Sequence, residues 1–114
     1  MSQQGSVEYY QYTKKADALF MRNNYKEALR LYLLAFVANK DLAKVVHRYK
    51  AASCWAILNE PDSAFAQLNR IVNKSSFSNY ELISADYNLL NLHDDPRWIP
   101  LLNKIKTRAA TSSE

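Results

Sequence analysis

A chain of 114 residues, 48% hydrophobic and 23% charged, reads as one globular domain, long enough for a single core and too short for two. One glycine and three prolines are too few for the turns of an all-β fold, and a glycine-rich phosphate loop is excluded on the same ground. The net charge of +4 is modest, no apolar run approaches the roughly 20 residues of a membrane span, and the single cysteine rules out an internal disulfide.

The opening MSQQGSVEYY has neither the basic nor the apolar region of a signal peptide, so a cytoplasmic location is expected unless a leader was removed. Residues 1–5 are expected to be disordered. Apolar periodicity then predicts helices at about 7–22, 25–38, 41–58, 61–73, 79–91 and 96–108, followed by a disordered tail at 109–114. Asn24 with Glu27 has the spacing of a capping box, and Asp41 is placed to cap a helix before Leu42. Asn59-Glu60-Pro61 opens the next helix with proline in its first turn. Ser78 with Glu81 makes a further box, Asp86 caps a short turn ending near Leu92, and Asp95 before Pro96 starts the last helix.

Shifted by 36, the chain falls on itself. Lys14 meets Lys50, Ala16 meets Ala52, Asn23 meets Asn59 and Ala28 meets Ala64, with apolar residues coinciding between them. Each copy holds two alanines twelve apart across a break, in a stripe otherwise made of tyrosine, leucine and phenylalanine. Small residues so placed let two antiparallel helix axes approach to about 8 Å. The expected architecture is all-α: one domain over 6–108, with repeat one at about 8–40, repeat two at about 41–76 and a capping segment at about 77–108. In that segment Trp98, Leu101, Leu102 and Ile105 share a helix face that would seal the open end of repeat two. Arg97 is expected to pair with Asp86 or Asp95.

Little in the chain suggests chemistry. His47, His93, Asp94 and Asp95 form no metal-ligand spacing, the serines at 75, 76 and 78 read as turn residues, and no nucleophile–base pair stands out. No metal or cofactor is expected, and the chain reads as no enzyme. Cys54 among alanines reads as a small core residue. Lys40, Lys44 and Arg48, at i, i+4 and i+8, would share one helix face, either simply solvated or a nucleic-acid patch; Lys104, Lys106 and Arg108 suit a helix C-terminus.

"ADALFMRNNYKEALRLYLLAF", with Ala16, Tyr25, Ala28, Tyr32 and Ala35, resembles the helix–turn–helix unit of tetratricopeptide repeats, whose usual interval is 34 residues. "AASCWAILNEPDSAFAQLNRIV" resembles a second unit that departs from the pattern at Pro61 and Ile71. The segment from Asp86 through Leu89, Leu92, Asp95, Pro96, Arg97 and Trp98 resembles the closing segment of certain bacterial members. The resemblance implies a superhelix of about two repeats plus a capping helix, acting as a non-catalytic interaction module or as an accessory domain of a larger bacterial protein. It further implies a concave groove for a peptide or partner helix, with Tyr10, Thr13, Lys14, Asp17 and Phe20 from the first unit and Tyr49, Lys50, Ser53 and Ala56 from the second. Tyr10 and Tyr49 fit the groove and the core equally well. Thr13 and Asp17 replace the lysine and asparagine of the family's clamp for a terminal carboxylate, which argues against that ligand. The alternatives are nucleic-acid binding through Lys40, Lys44 and Arg48, or self-association through Tyr9, Tyr10 and Tyr12.

Overall fold

The computed structural model describes residues 2–75 and 77–112, and side chains over 7–75 and 77–110. It is helical, with no strand among the described residues. Helices α1 (Ser2–Met21) and α2 (Tyr25–Ala38) form one antiparallel pair; α3 (Val45–Ile57) and α4 (Pro61–Lys74) form the next. A short helix α5 (Tyr80–Ala85), a 3-10 turn (Tyr87–Leu92) and helix α6 (Trp98–Ser112) complete the chain. Where described, the segments expected to be disordered are helical, 2–5 as the start of α1 and 109–112 as the end of α6.

The turns inside the two pairs are built alike. Asn23 and Asn59, which coincide in the 36-residue shift, both have φ of 62°. Asparagine is one of the few residues that tolerate this left-handed conformation, and here it ends the first helix of each pair. The amide of Asn24 reaches back to the Leu19 carbonyl at 2.9 Å, and that of Glu60 reaches the Trp55 carbonyl at 2.8 Å, the same closing bond in each copy. The capping signals fare less evenly. Asn24 makes no side-chain cap bond, and Glu27 pairs with Arg30 instead. Asn79, rather than Ser78, caps α5 by accepting the Leu82 amide, while Asp86 caps the 3-10 turn by accepting the Asn88 amide. Pro61 does sit in the first turn of α4.

Helix α3 starts four residues later than expected. Asp41 cannot cap it, because Lys40 and Asp41 both take positive φ (55° and 63°) in the turn that ends α2. The backbone of Lys44, extended at φ −69° and ψ 147°, makes the start. Lys40, Lys44 and Arg48 therefore do not line one helix face. Arg48 turns inward, only 6% exposed, and spends its guanidinium on the Asp41 carbonyl and carboxylate and on Gln67. One cation of the nucleic-acid alternative is thus committed inside the fold.

Two core regions follow from the pairs. Ala16 and Ala28 are 0% exposed and belong to the first, with Leu29, Tyr32, Ala35 and Phe36 closing around them. Ala52 and Ala64 occupy the same places in the second, together with Phe65, Leu68 and Val72. Trp98, Leu101, Leu102 and Ile105 close that second core from α6, and Trp55 touches both. Arg97 grips Asp95 with two nitrogens at 2.9 and 2.8 Å, reaches Asp62 on α4 at 2.9 Å, and covers the Phe65 ring at 4.6 Å. Its guanidinium and the Arg97 amide hold the Asp95 carboxyl down at about 2. Asp86, the other partner considered for Arg97, is engaged elsewhere.

Candidate interaction groove

The first helices of the two pairs, with α5 beyond them, border a hollow of about 460 Å³. Phe20 comes from the end of α1, Val45, Val46, Tyr49, Lys50 and Ser53 from α3, Phe77 and Leu82 from the capping segment, and Asp86 and Asn88 from its 3-10 turn. Helical periodicity makes the α3 wall: 46, 49, 50 and 53 fall at steps of three and four and so share one face. Phe77 lies against Tyr49 with ring centroids 5.9 Å apart. Val46 and Leu82, each 50% exposed, offer apolar surface at the rim.

Four of the residues implied by the family resemblance meet here: Phe20, Tyr49, Lys50 and Ser53. Asp17 does not line the hollow but pairs with Lys50, which does; the others go elsewhere. Tyr10, 47% exposed, stands beside a separate hollow with Asn39, Leu42 and Lys44, whose ammonium lies 5.0 Å above its ring. Thr13 is buried with its hydroxyl turned to the Tyr10 carbonyl, and Ala56 is in the second core. Lys14 lies on another side of α1, with Gln11, Lys15 and Ala18. Of the tyrosines considered for self-association, Tyr9 is buried and Tyr12 packs against the first core, leaving Tyr10 as the exposed one. Val46, Phe77 and Leu82 were missed. For Val46 the signal was present, one helical turn before Tyr49 and Lys50; the other two come from a segment read only as a cap.

The charges in and beside the groove already have partners within the chain. Lys50 Nζ donates to Asp17 Oδ1 at 3.2 Å, and the same oxygen accepts the Tyr32 hydroxyl. Tyr49 donates its hydroxyl to Asp86 Oδ2 at 2.7 Å, and Asp86 Oδ1 holds the Asn88 amide. Burial, and the cost of placing a phenolate beside a carboxylate, push Tyr32 and Tyr49 well above the ordinary tyrosine range. Both therefore remain hydroxyl donors at any ordinary pH.

Deeper between α1 and α3 lies His47, 7% exposed. The Tyr9 oxygen accepts the Lys44 amide at 2.9 Å, and we assign its own hydrogen to His47 Nδ1, 2.5 Å away. A neutral His47 then carries its proton on Nε2, which faces Asp17 Oδ2 at 3.8 Å. Burial lowers the His47 pKa; Asp17 opposes that shift, and Lys50 and Lys44 add to it.

Among the described residues no cluster of histidine, cysteine and carboxylate side chains could hold a metal, and no helix is long and apolar enough to cross a membrane. Cys54 is buried, and its thiol is pushed up to about 12. Native protein at pH 8 is expected to leave Cys54 unmodified by a thiol-specific disulfide reagent until denaturant is added; stoichiometric labelling of the folded chain within minutes would contradict this burial. No family model, no curated protein and no solved structure matches the chain.

Proposed function

We propose that this chain is a non-catalytic interaction module whose groove between α1, α3 and α5 takes an apolar-sided peptide or helix of a protein partner. One observation carries the reading: the hollow of about 460 Å³ has apolar walls, and the charged groups that line it, Lys50 and Asp86, already have partners inside the chain. The volume falls within the range of ligand pockets, about 300–1,000 Å³. A charged ligand group would meet charges that are already paired within the chain, whereas an apolar side chain gains about 1.5–3 kcal/mol on full burial. Val46, Leu82, Phe77 and Tyr49 supply the surface such anchors would cover. The resemblance to tetratricopeptide repeats favours the same face.

A displayed random-peptide library selected on the chain tests the reading. Enriched peptides are expected to carry apolar anchors. Their affinity should fall about tenfold or more in Val46→Glu and Leu82→Glu, the worth of one lost anchor. Both positions are half-exposed, so either variant should fold. Affinity should change less than about threefold between low and high salt, because screening acts on charges rather than on apolar contact. Binders indifferent to both substitutions, or a library that yields none, would overturn the proposal.

A further inference from the structure

We propose that the Tyr9–His47 contact is a proton-operated joint that sets the spacing of α1 and α3. The inference goes beyond the peptide reading and does not depend on any ligand. Helix α1 packs chiefly on α2, which also packs on α3, so α1 and α3 meet through long side chains rather than through close backbones. The side chains are Tyr9 and Asp17 on one helix and His47 and Lys50 on the other, with the Lys44 amide as a further donor to Tyr9.

At neutral pH every group in this line has a role. His47 Nδ1 accepts the Tyr9 hydroxyl, and Asp17 Oδ1 accepts Lys50 and Tyr32. When Nδ1 takes a proton from solvent, donor faces donor. The Tyr9 oxygen can turn a lone pair toward the imidazolium, but its own hydrogen then loses the acceptor it has, in a buried site where an unmade bond is costly. The new charge also attracts Asp17, 3.8 Å from Nε2 and shared with Lys50. The Tyr9 end of the joint loosens while the Asp17 end tightens, and α1 tilts on α3. The groups facing His47 are Tyr9 and Asp17 from α1, Tyr32 from α2 with its ring centroid 6.0 Å away, and Lys44 and Lys50 from α3 itself. Apart from Asp17, they oppose a positive charge or are neutral.

Because the folded state holds His47 with a lowered affinity for protons, the unfolded chain binds more of them in mildly acidic solution. The His47 contribution to stability is therefore complete above the ordinary histidine value of 6.5 and is lost as pH falls from there through the lower value of the folded state. Spin labels on Lys14→Cys in α1 and Val46→Cys in α3 read the tilt, with buried Cys54 left in place. Their mean separation should shift by about 1–2 Å, the size of helix movements at switching interfaces, across the His47 titration followed by its ring proton resonance. His47→Gln should abolish the shift. Tyr9→Phe removes a bond that only neutral His47 can accept and should raise the titration midpoint; Asp17→Asn should lower it. If His47→Gln fails to fold, Tyr9→Phe and Asp17→Asn still decide, because the change in separation should follow each midpoint as it moves. A separation that stays constant through the titration, or midpoints that do not move apart, would overturn the joint.

Discussion

Trp98→Ala is expected to cost about 3–5 kcal/mol, the usual loss for a large aromatic removed from a core. Trp98 is buried against the second core, and its ring stacks on His93 with centroids 4.5 Å apart. It is also the first of four residues, with Leu101, Leu102 and Ile105, through which α6 closes the end that α3 and α4 leave open. A stacked helix pair depends on its neighbours for burial, so the loss should appear as unequal stability along the chain. Amides of α6 should exchange with solvent well before those of α1 and α2. A urea titration gives the total, and amide exchange gives its distribution. Trp55, which touches both cores, remains as the fluorescent reporter. An unchanged unfolding midpoint would mean that α6 is an ornament rather than a cap.

The fold was legible because its signals are local. Proline at the start of α4 and apolar steps of three and four depend on neighbours within a turn or two, the paired alanines on a separation of only twelve, and together they place α2 and α4 almost to the residue. Errors arose where one residue type serves two purposes. Asp41 looks like a helix cap because aspartate often is one, yet its carboxylate collects Arg48 and Arg70 from a left-handed turn. Asn23 and Asn59 were visible as a repeated identity, but the shared left-handed turn behind it was not.

The groove was half legible. Its α3 wall follows from helical spacing, whereas Phe77 and Leu82 reach it through a connection whose path no periodicity sets. Least legible was the contact between Tyr9 and His47, 38 positions apart and on helices that are not consecutive. A tyrosine and a histidine that far apart carry no mark of each other until the α1–α2 and α2–α3 turns together bring their helices side by side.

Ala28→Leu is expected to destabilise the chain by about 3 kcal/mol, the upper end of overpacking costs, and by more than Ala28→Gly, which should cost about 1 kcal/mol in helix propensity and about 0.8 kcal/mol for the buried methyl. On an open helix face the order would be reversed, since leucine is nearly as good a helix former as alanine and glycine is the worse of the two. The inversion tests the close approach itself. Ala16 and Ala28 are fully buried between helices whose contact is lined by Leu29, Tyr32 and Phe36, so three added carbons have no vacant space to enter. They must push α1 from α2, and Tyr9 and Asp17 ride on α1. The same substitution should therefore disturb the His47 resonance, although position 28 does not touch the imidazole in the chain of bonds described above. Equal losses for leucine and glycine, or a stable Ala28→Leu protein with an unaltered His47 signal, would show that these methyl-sized contacts do not govern how the helices nest.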